Sequence, residues 1–395
     1  MKRAGIPAPG SEQGGSEMEN VGKLYLITGA AGYLGKVLVE KLLTAGNRVR
    51  ALVLPGDPAA GELPKGVAIA YGSVTEPSSL SDFFSGDLRS ACLIHCAGAV
   101  SIATRRDPGL WLVNADGTKN IMTLCLQHGL GRVVHVSSVH AIPAKPAGQV
   151  ITETSVFSPS LVKGQYSKSK AEGTKYALIA AGSGLNVSVV HPSGIIGPYD
   201  PGKADISSAV ISFCRGKLRT AVSGGYDFVD VRDVADGIIS CCTRGEKGEC
   251  YILSGRYAHL HEIFAHLCEL GYGKEPRYLP LPFVRGLAPF FELYSIMRGR
   301  ALFLTPYSAY TLGSGGLFSH ENASKKLNYM PRSLEETLDD TVSWLREKGL
   351  IPPANRPSIS GKETYHEEKR ALAALGRSDR RHIRCFRSHY PDKPV

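Results

Sequence analysis

The chain predicts a doubly wound α/β fold, an open parallel sheet with helices on both faces, and three observations carry that prediction. Short apolar strands alternate with helical stretches from residue 23 to residue 190. Those strands are continuously apolar, the mark of a sheet covered on both sides. The first strand also runs straight into a glycine-rich turn that opens a helix.

The elements follow in order. Residues 23–28 read as a strand. Val37, Leu38, Lys41 and Leu42 recur at helical spacing, and Gly46 closes that helix. Residues 48–54 are a second β-branched run and complete a strand–helix–strand unit. Further strands are predicted at 67–71, 92–96, 132–137 and 185–190. Helices are predicted at 77–84, with Pro77 at its start, at 110–128 and at 165–181. After His191 the rhythm becomes irregular, with Pro and Gly clusters at 192–202 and 271–289. A last helix at 334–348 follows Ser333 as N-cap, with Glu336 three residues on.

Composition bounds the function. The chain has 395 residues, of which 43% are hydrophobic and 21% charged. That length and balance build a core without disulfides or metal and exclude wholesale disorder. No run of 18 apolar residues occurs, so no transmembrane helix is expected. The formal charge is +10, but residues 356–395 hold ten basic and five acidic side chains. Half of the surplus therefore sits in a tail, and no nucleic-acid surface is indicated. Nine cysteines show no CxxC or Cys/His ligand spacing. This pattern predicts free thiols in a reducing compartment and no metal. Residues 1–21 lack the apolar segment of a secretory signal, so a disordered leader and a cytoplasmic location are expected.

Two groups of residues carry chemistry. Gly29, Gly32 and Gly35 lie between a strand and a helix. Without side chains there, a phosphate can approach the backbone and meet free N–H groups at the helix N-terminus. Residues 22–190 therefore read as a dinucleotide-binding domain. The second strand ends at Leu54, followed by Pro55-Gly56-Asp57. The acidic side chain that reads a ribose, or the Arg that reads a 2′-phosphate, is missing at the usual place, so NAD and NADP both stay open. Tyr166 and Lys170 are four residues apart on a helix and share a face. An ammonium beside a phenol lowers its pKa and makes Tyr166 a plausible proton donor or acceptor. Ser137 and Ser138 end the strand at 132–137, where ligands of open α/β sheets sit. The histidines read as packing residues, and His140 is nearest the proposed site.

These motifs carry a resemblance. TGAAGYLG at 28–35, HCAG at 95–98, VNADGTKN at 113–120, VSSVHA at 136–141, YSKSK at 166–170 and HPSGIIGP at 191–198 resemble the extended short-chain dehydrogenase/reductase superfamily, of the NAD-dependent epimerase/dehydratase type, with its Rossmann sheet. FVDVRDVA at 228–235 and the stretch 322–344 extend the match over about residues 22–350. The resemblance implies Ser138, Tyr166 and Lys170 as the catalytic set, with Asn114 positioning a water or a helix kink. It implies cofactor contacts from Gly29, Ala31, Gly32, Tyr33, Leu34 and Gly35, from Leu54, Ala97 and Gly98, from Tyr166 and Lys170, and from Pro192, Gly194 and Ile195. Two departures stand out. Gly72-Ser73 replaces the usual Gly-Asp pair at the adenine, and His191 replaces an Arg before Pro192.

The same resemblance points to the dihydroflavonol reductase and 3β-hydroxysteroid dehydrogenase branch. Leu281, Phe283, Leu287, Phe290, Phe291, Tyr294 and Phe303 are expected to form an apolar pocket. The expected activity is interconversion of a ketone and a secondary alcohol on a bulky apolar small molecule. A nucleotide-sugar epimerase is the alternative, and a non-catalytic NAD(P)-binding sensor is a third reading. Tyr226 and Asp227 stand where nucleotide-sugar enzymes often place an Arg for the diphosphate. Residues 191–352 are thus read as the substrate-binding region, with some chain returning to the first sheet. Residues 353–395 are read as a basic, disordered tail. Arg285, Arg298 and Arg300 beside Phe and Leu also suit peripheral membrane contact, and the resemblance suggests a homodimer.

Overall fold

The computed structural model describes residues 22–298 and 305–354 except 106, 147, 203 and 315. The expected leader, nearly all of the tail, Arg300 and Phe303 lie outside the described residues. In chain order the strands are β1 (Leu24–Thr28), β2 (Arg48–Val53), β3 (Ala68–Tyr71), β4 (Cys92–His95), β5 (Arg132–Val136), β6 (Val150–Ile151), β7 (Val187–Pro192), β8 (Gly194–Ile196), β9 (Thr220–Val222), β10 (Gly225–Asp230), β11 (Cys250–Leu253), β12 (Arg256–His259), β13 (Arg277–Leu279) and β14 (Leu317–Phe318). The α-helices are α1 (Tyr33–Thr44), α2 (Pro108–Trp111), α3 (Thr118–Gln127), α4 (Gln165–Gly182), α5 (Asp205–Cys214), α6 (Val231–Arg244), α7 (Leu260–Glu269), α8 (Leu281–Met297), α9 (Pro306–Thr311), α10 (Glu321–Leu327) and α11 (Leu334–Glu347).

Seven strands form one parallel sheet in the order β11-β7-β5-β4-β1-β2-β3. Side chains of a strand alternate between faces, so an apolar strand serves two cores. Leu26, Leu93 and Val133 join the core on one face. Ile27, Ile94 and Val134, one residue on, join the core on the other. The chain winds outward from β1 to β3 and then restarts on the opposite side of β1 with β4. That reversal opens a crevice beyond the carboxyl ends of β1 and β4. A second layer stands against this edge. The small sheet β12-β10-β8 packs with α5, α7 and α11 around Phe213, Phe264 and Leu338. No helix among the described residues is long and apolar enough to cross a membrane.

Two expected helices differ, each for a local reason. The segment 77–84 holds only one tight turn, Pro77–Leu80. The Arg50 guanidinium takes the Phe83 and Ser85 carbonyls at 2.9 and 2.8 Å, and Phe83 and Phe84 turn inward. The predicted helix 110–128 is interrupted by a π-type turn, Leu112–Gly117, between α2 and α3. There α4 comes so close that a Cβ on Gly173 would lie 2.3 Å from the Asn114 carbonyl oxygen. That oxygen accepts the Thr118 hydroxyl at 2.8 Å. Single π turns of this kind are frequent at functional sites.

Candidate active site

The glycine turn lies in the crevice. Gly29 has φ 69°, the left-handed region that glycine enters without strain, and a Cβ there would meet the Ala97 backbone at 2.8 Å. A Cβ on Gly35 would stand 2.1 Å from the Gly29 carbonyl oxygen, so α1 packs backbone to backbone on the turn. Gly32 is different. It is exposed, it caps α1 without a side-chain hydrogen bond, and its nearest obstacle to a Cβ is at 3.2 Å. The first amides of α1 therefore face an open crevice, the arrangement that accepts an anionic group. Ala31, Tyr33 and Leu34 are half-buried around it, and the buried Tyr33 hydroxyl has no hydrogen-bond partner among the described residues. The donors and the bare backbone fit a dinucleotide pyrophosphate. Gly35→Ala is expected to lower stability by about 1–3 kcal/mol, because backbone must move, and to weaken NADH binding with it. Thermal unfolding and NADH titration of the variant check this.

At the end of β2, Leu54 is 55% exposed. Arg50 is committed to the carbonyls described above, and Arg48 Nε reaches the Gly22 carbonyl at 3.3 Å. Asp57 caps the following turn by accepting the Ala59 N–H at 2.9 Å. In the Gly72-Ser73 pair, the Ser73 N–H donates to Ser79 Oγ at 2.9 Å.

Beyond β4 and β5 the structure brings Ser138, Tyr166, Lys170, Asn114 and Gly98 together. Lys170 is buried on α4 and donates to the Val136 carbonyl at 3.1 Å. A Cβ on Gly98 would sit 3.0 Å from Lys170 Nζ and 3.2 Å from Asn114 Oδ1, so that glycine leaves room for both. Asn114 Oδ1 accepts the Ala99 N–H at 2.9 Å, and its Nδ2 donates to the Ala99 carbonyl at 2.8 Å and to Ser169 Oγ at 3.0 Å. The side chain is thus pinned to the chain on both sides. Ser138 Oγ accepts the His140 N–H at 3.2 Å and lies close enough to the Tyr166 phenol to lower its pKa. Pro192, Gly194 and Ile195 follow on β7 and β8. A Cβ on Gly194 would strike the Tyr226 ring at 2.7 Å.

The electrostatics correct one expectation. Lys170 does not bring the phenol down. Burial pushes Tyr166 above its ordinary value, and the Ser138 hydroxyl offsets only part of that. Burial also lowers Lys170 to about 8. The phenol of the cofactor-free chain therefore keeps its proton at neutral pH.

A cavity of about 480 Å³ adjoins Tyr166. Its walls include Val100, Ile102, Phe228, Phe264 and Leu312, and Asp205 is the one charged side chain among the described lining residues. Burial raises the Asp205 carboxyl above its usual range. The expected pocket residues behave otherwise. Of the seven named from the sequence, Phe291 lines this cavity. Phe283, Phe290 and Tyr294 face outward.

Tyr307, which the sequence did not place at the site, joins Tyr226, which holds the position where nucleotide-sugar enzymes often place an Arg. His140 lies between them, with Nε2 2.8 Å from the Tyr226 hydroxyl and Nδ1 3.3 Å from that of Tyr307. Tyr307 in turn bonds Ser167 Oγ at 2.8 Å. Burial lowers His140 to about 4, so this wall is neutral near pH 7. His191 Nδ1 lies 3.0 Å from the Ser138 carbonyl, and its ring stacks on Phe157 at 5.3 Å. That is a supporting role for the strand end that carries Ser138. The eight described cysteines are free, and no cluster of three or more metal-ligating side chains occurs among the described residues.

Comparison with known proteins agrees with this geometry. Residues 25–254 match the model of the NAD dependent epimerase/dehydratase family. Sterol demethylase protein B of Methylococcus capsulatus is 32% identical over 333 residues, which cover 82% of this chain and 99% of that protein. A putative dihydroflavonol 4-reductase of Synechocystis is 29% identical, over 83% of this chain and 96% of its own. The crystal structure of gox2253 superposes with a TM-score of 0.72 at 26% identity, covering 84% of this chain and all of that one. The chain belongs to the NAD dependent epimerase/dehydratase family, within the extended short-chain dehydrogenase/reductases, and is an NAD(P)-dependent oxidoreductase.

Proposed function

We propose that the protein interconverts a ketone and a secondary alcohol on a bulky, largely apolar ring system. The observation that carries this reading is the cavity beside Tyr166, large enough for a polycyclic ligand and without a described cation. A nucleotide-sugar diphosphate needs Arg or Lys partners, and this wall offers Tyr226 and the neutral His140 instead. The names of the two relatives, a sterol demethylase protein and a dihydroflavonol reductase, concern ring substrates of that size.

The glycine turn and the α1 amides would hold the pyrophosphate, Lys170 the nicotinamide ribose, and the segment Pro192–Gly194–Ile195 the nicotinamide. When bound, the cofactor supplies or accepts the hydride. Ser138 orients the substrate oxygen by a hydrogen bond. Tyr166 donates its proton to that oxygen in reduction and takes it back in oxidation. Asn114 fixes the loop that carries Gly98. We also propose NAD as the preferred cofactor. Arg48 and Arg50 are both engaged elsewhere, and Lys36 of α1 is paired with Glu62. A 2′-phosphate at the end of β2 would meet Asp57 without a free cation among these groups. The free cysteines support a reducing, cytoplasmic setting.

The test is a panel of steroid, flavonoid and aryl ketones run with NADH and NADPH in parallel. Turnover of a polycyclic ketone, with kcat/KM at least about tenfold higher for NADH, is the expected result. Tight binding of a UDP-sugar with no net change in nicotinamide absorbance would replace this reading with the epimerase.

A further inference from the structure

The outward face of α8 is an apolar feature the chemistry leaves unused. Val284, Ala288 and Glu292 recur every fourth residue and are buried. Opposite them, Phe283, Phe290, Leu293, Tyr294 and Met297 share an arc about 100° wide at 3.6 residues per turn. All five are exposed, Phe290 by 70% and Met297 by 77%. A stripe of that size on a helix that already has a packed face calls for a partner.

We infer that this stripe rests on a lipid surface. Two observations favour lipid over a second protein. The exposed charges of α8 are Arg285 and Arg298, while its carboxylate, Glu292, is buried and accepts the Thr104 N–H at 2.7 Å. The Arg298 guanidinium lies over the Tyr294 ring at 5.5 Å, so cation and aromatic share one edge of the stripe. A basic residue at the edge of an aromatic and aliphatic face matches an anionic headgroup layer above acyl chains. The stripe is also continuous with the substrate cavity. Phe291 is 48% exposed and lines the cavity, on the same helix as the stripe. An apolar substrate held in the lipid then has a path to Tyr166 that avoids water. That last step rests on the ketone reading above; the lipid contact does not.

The experiment is co-sedimentation of the full chain with phosphatidylcholine vesicles and with vesicles of equal parts phosphatidylcholine and phosphatidylserine. Sedimentation velocity of the free protein is run beside it. The wild type should pellet with the mixed vesicles. Phe290→Ser with Met297→Ser should reduce the bound fraction at least tenfold at unchanged Tm. Arg298→Glu should reduce the preference for phosphatidylserine. The inference is overturned if the wild type stays in the supernatant with both vesicles, or if the Phe290/Met297 variant pellets equally well. It is also overturned if the wild type is a dimer that this variant dissolves, which would assign the stripe to a second copy. None of these readouts needs a substrate, so they stand or fall apart from the ketone assignment.

Discussion

Tyr166→Phe should lower kcat by about 10²–10⁴-fold with a true substrate, the usual weight of a positioned proton donor. NADH affinity should stay within about threefold, because the ring keeps its packing and loses one hydroxyl. The pH profile adds a second check. The buried phenol retains its proton above neutrality, while burial lowers the Lys170 ammonium to about 8. Reduction should therefore decline as pH rises through about 8, as Lys170 loses its charge. Wild-type turnover in the Phe variant would remove Tyr166 from the chemistry.

The second large effect is acid lability. His95, His135 and His191 are buried on β4, β5 and β7, and His140 is half-buried just beyond β5. Burial is the leading cause in each case. It lowers His95 to about 3 and His140 and His191 to about 4, and it takes His135 well below the usual value. The Lys170 ammonium adds to this at His95, His135 and His191. In the unfolded chain all four take protons near pH 6.5. Their stabilising contribution is complete above that pH and is lost as pH falls toward the folded values. Asp227 has the opposite sign. It is raised to about 6, mainly by burial, so the folded state gains its proton first and one histidine is offset. Asp205, Asp233 and Glu153 are raised as Asp227 is, and His320 is lowered as the other histidines are, so the histidines still outweigh the carboxyls between pH 7 and 5 and the net loss is on the order of a few kcal/mol per pH unit. Unfolding should begin roughly near pH 5, given an ordinary domain stability. Urea midpoints measured from pH 7 down to 5 check this, and a flat midpoint would contradict it. His135→Leu is the sharper probe. Both ring nitrogens of His135 lack partners among the described residues, so removing them should reduce the slope by about one proton.

The parts legible in the sequence are those written in local spacing. The glycine turn, the four-residue step from Tyr166 to Lys170 and the strand end at Ser138 each lie within one or two elements, and their context follows from the apolar periodicity. The parts that stayed hidden depend on distant partners. Tyr307 meets Ser167 across 140 residues and His140 across 167. No periodicity records such a meeting. The π turn at 112–117 arises from the approach of α4 at Gly173, which composition cannot reveal. The aromatic content of α8 was visible, but its orientation was not. The same residues suit a pocket or an outer face, and the choice was made by Val284, Ala288 and Glu292 turning inward.

The π turn has a consequence for how the chain can be altered. An α-helix advances about 100° per residue, and the six residues of this wider turn cover about the angle of five α-helical ones, so the turn absorbs a surplus residue without rotating α3. Deleting one residue between Leu112 and Gly117 would straighten the helix and leave Ile121, Met122 and Cys125 on the sheet. It would displace Asn114, whose side chain is tied from within the turn to Ala99 and Ser169. A shortening that spares the core would thus still unseat the loop that carries Gly98.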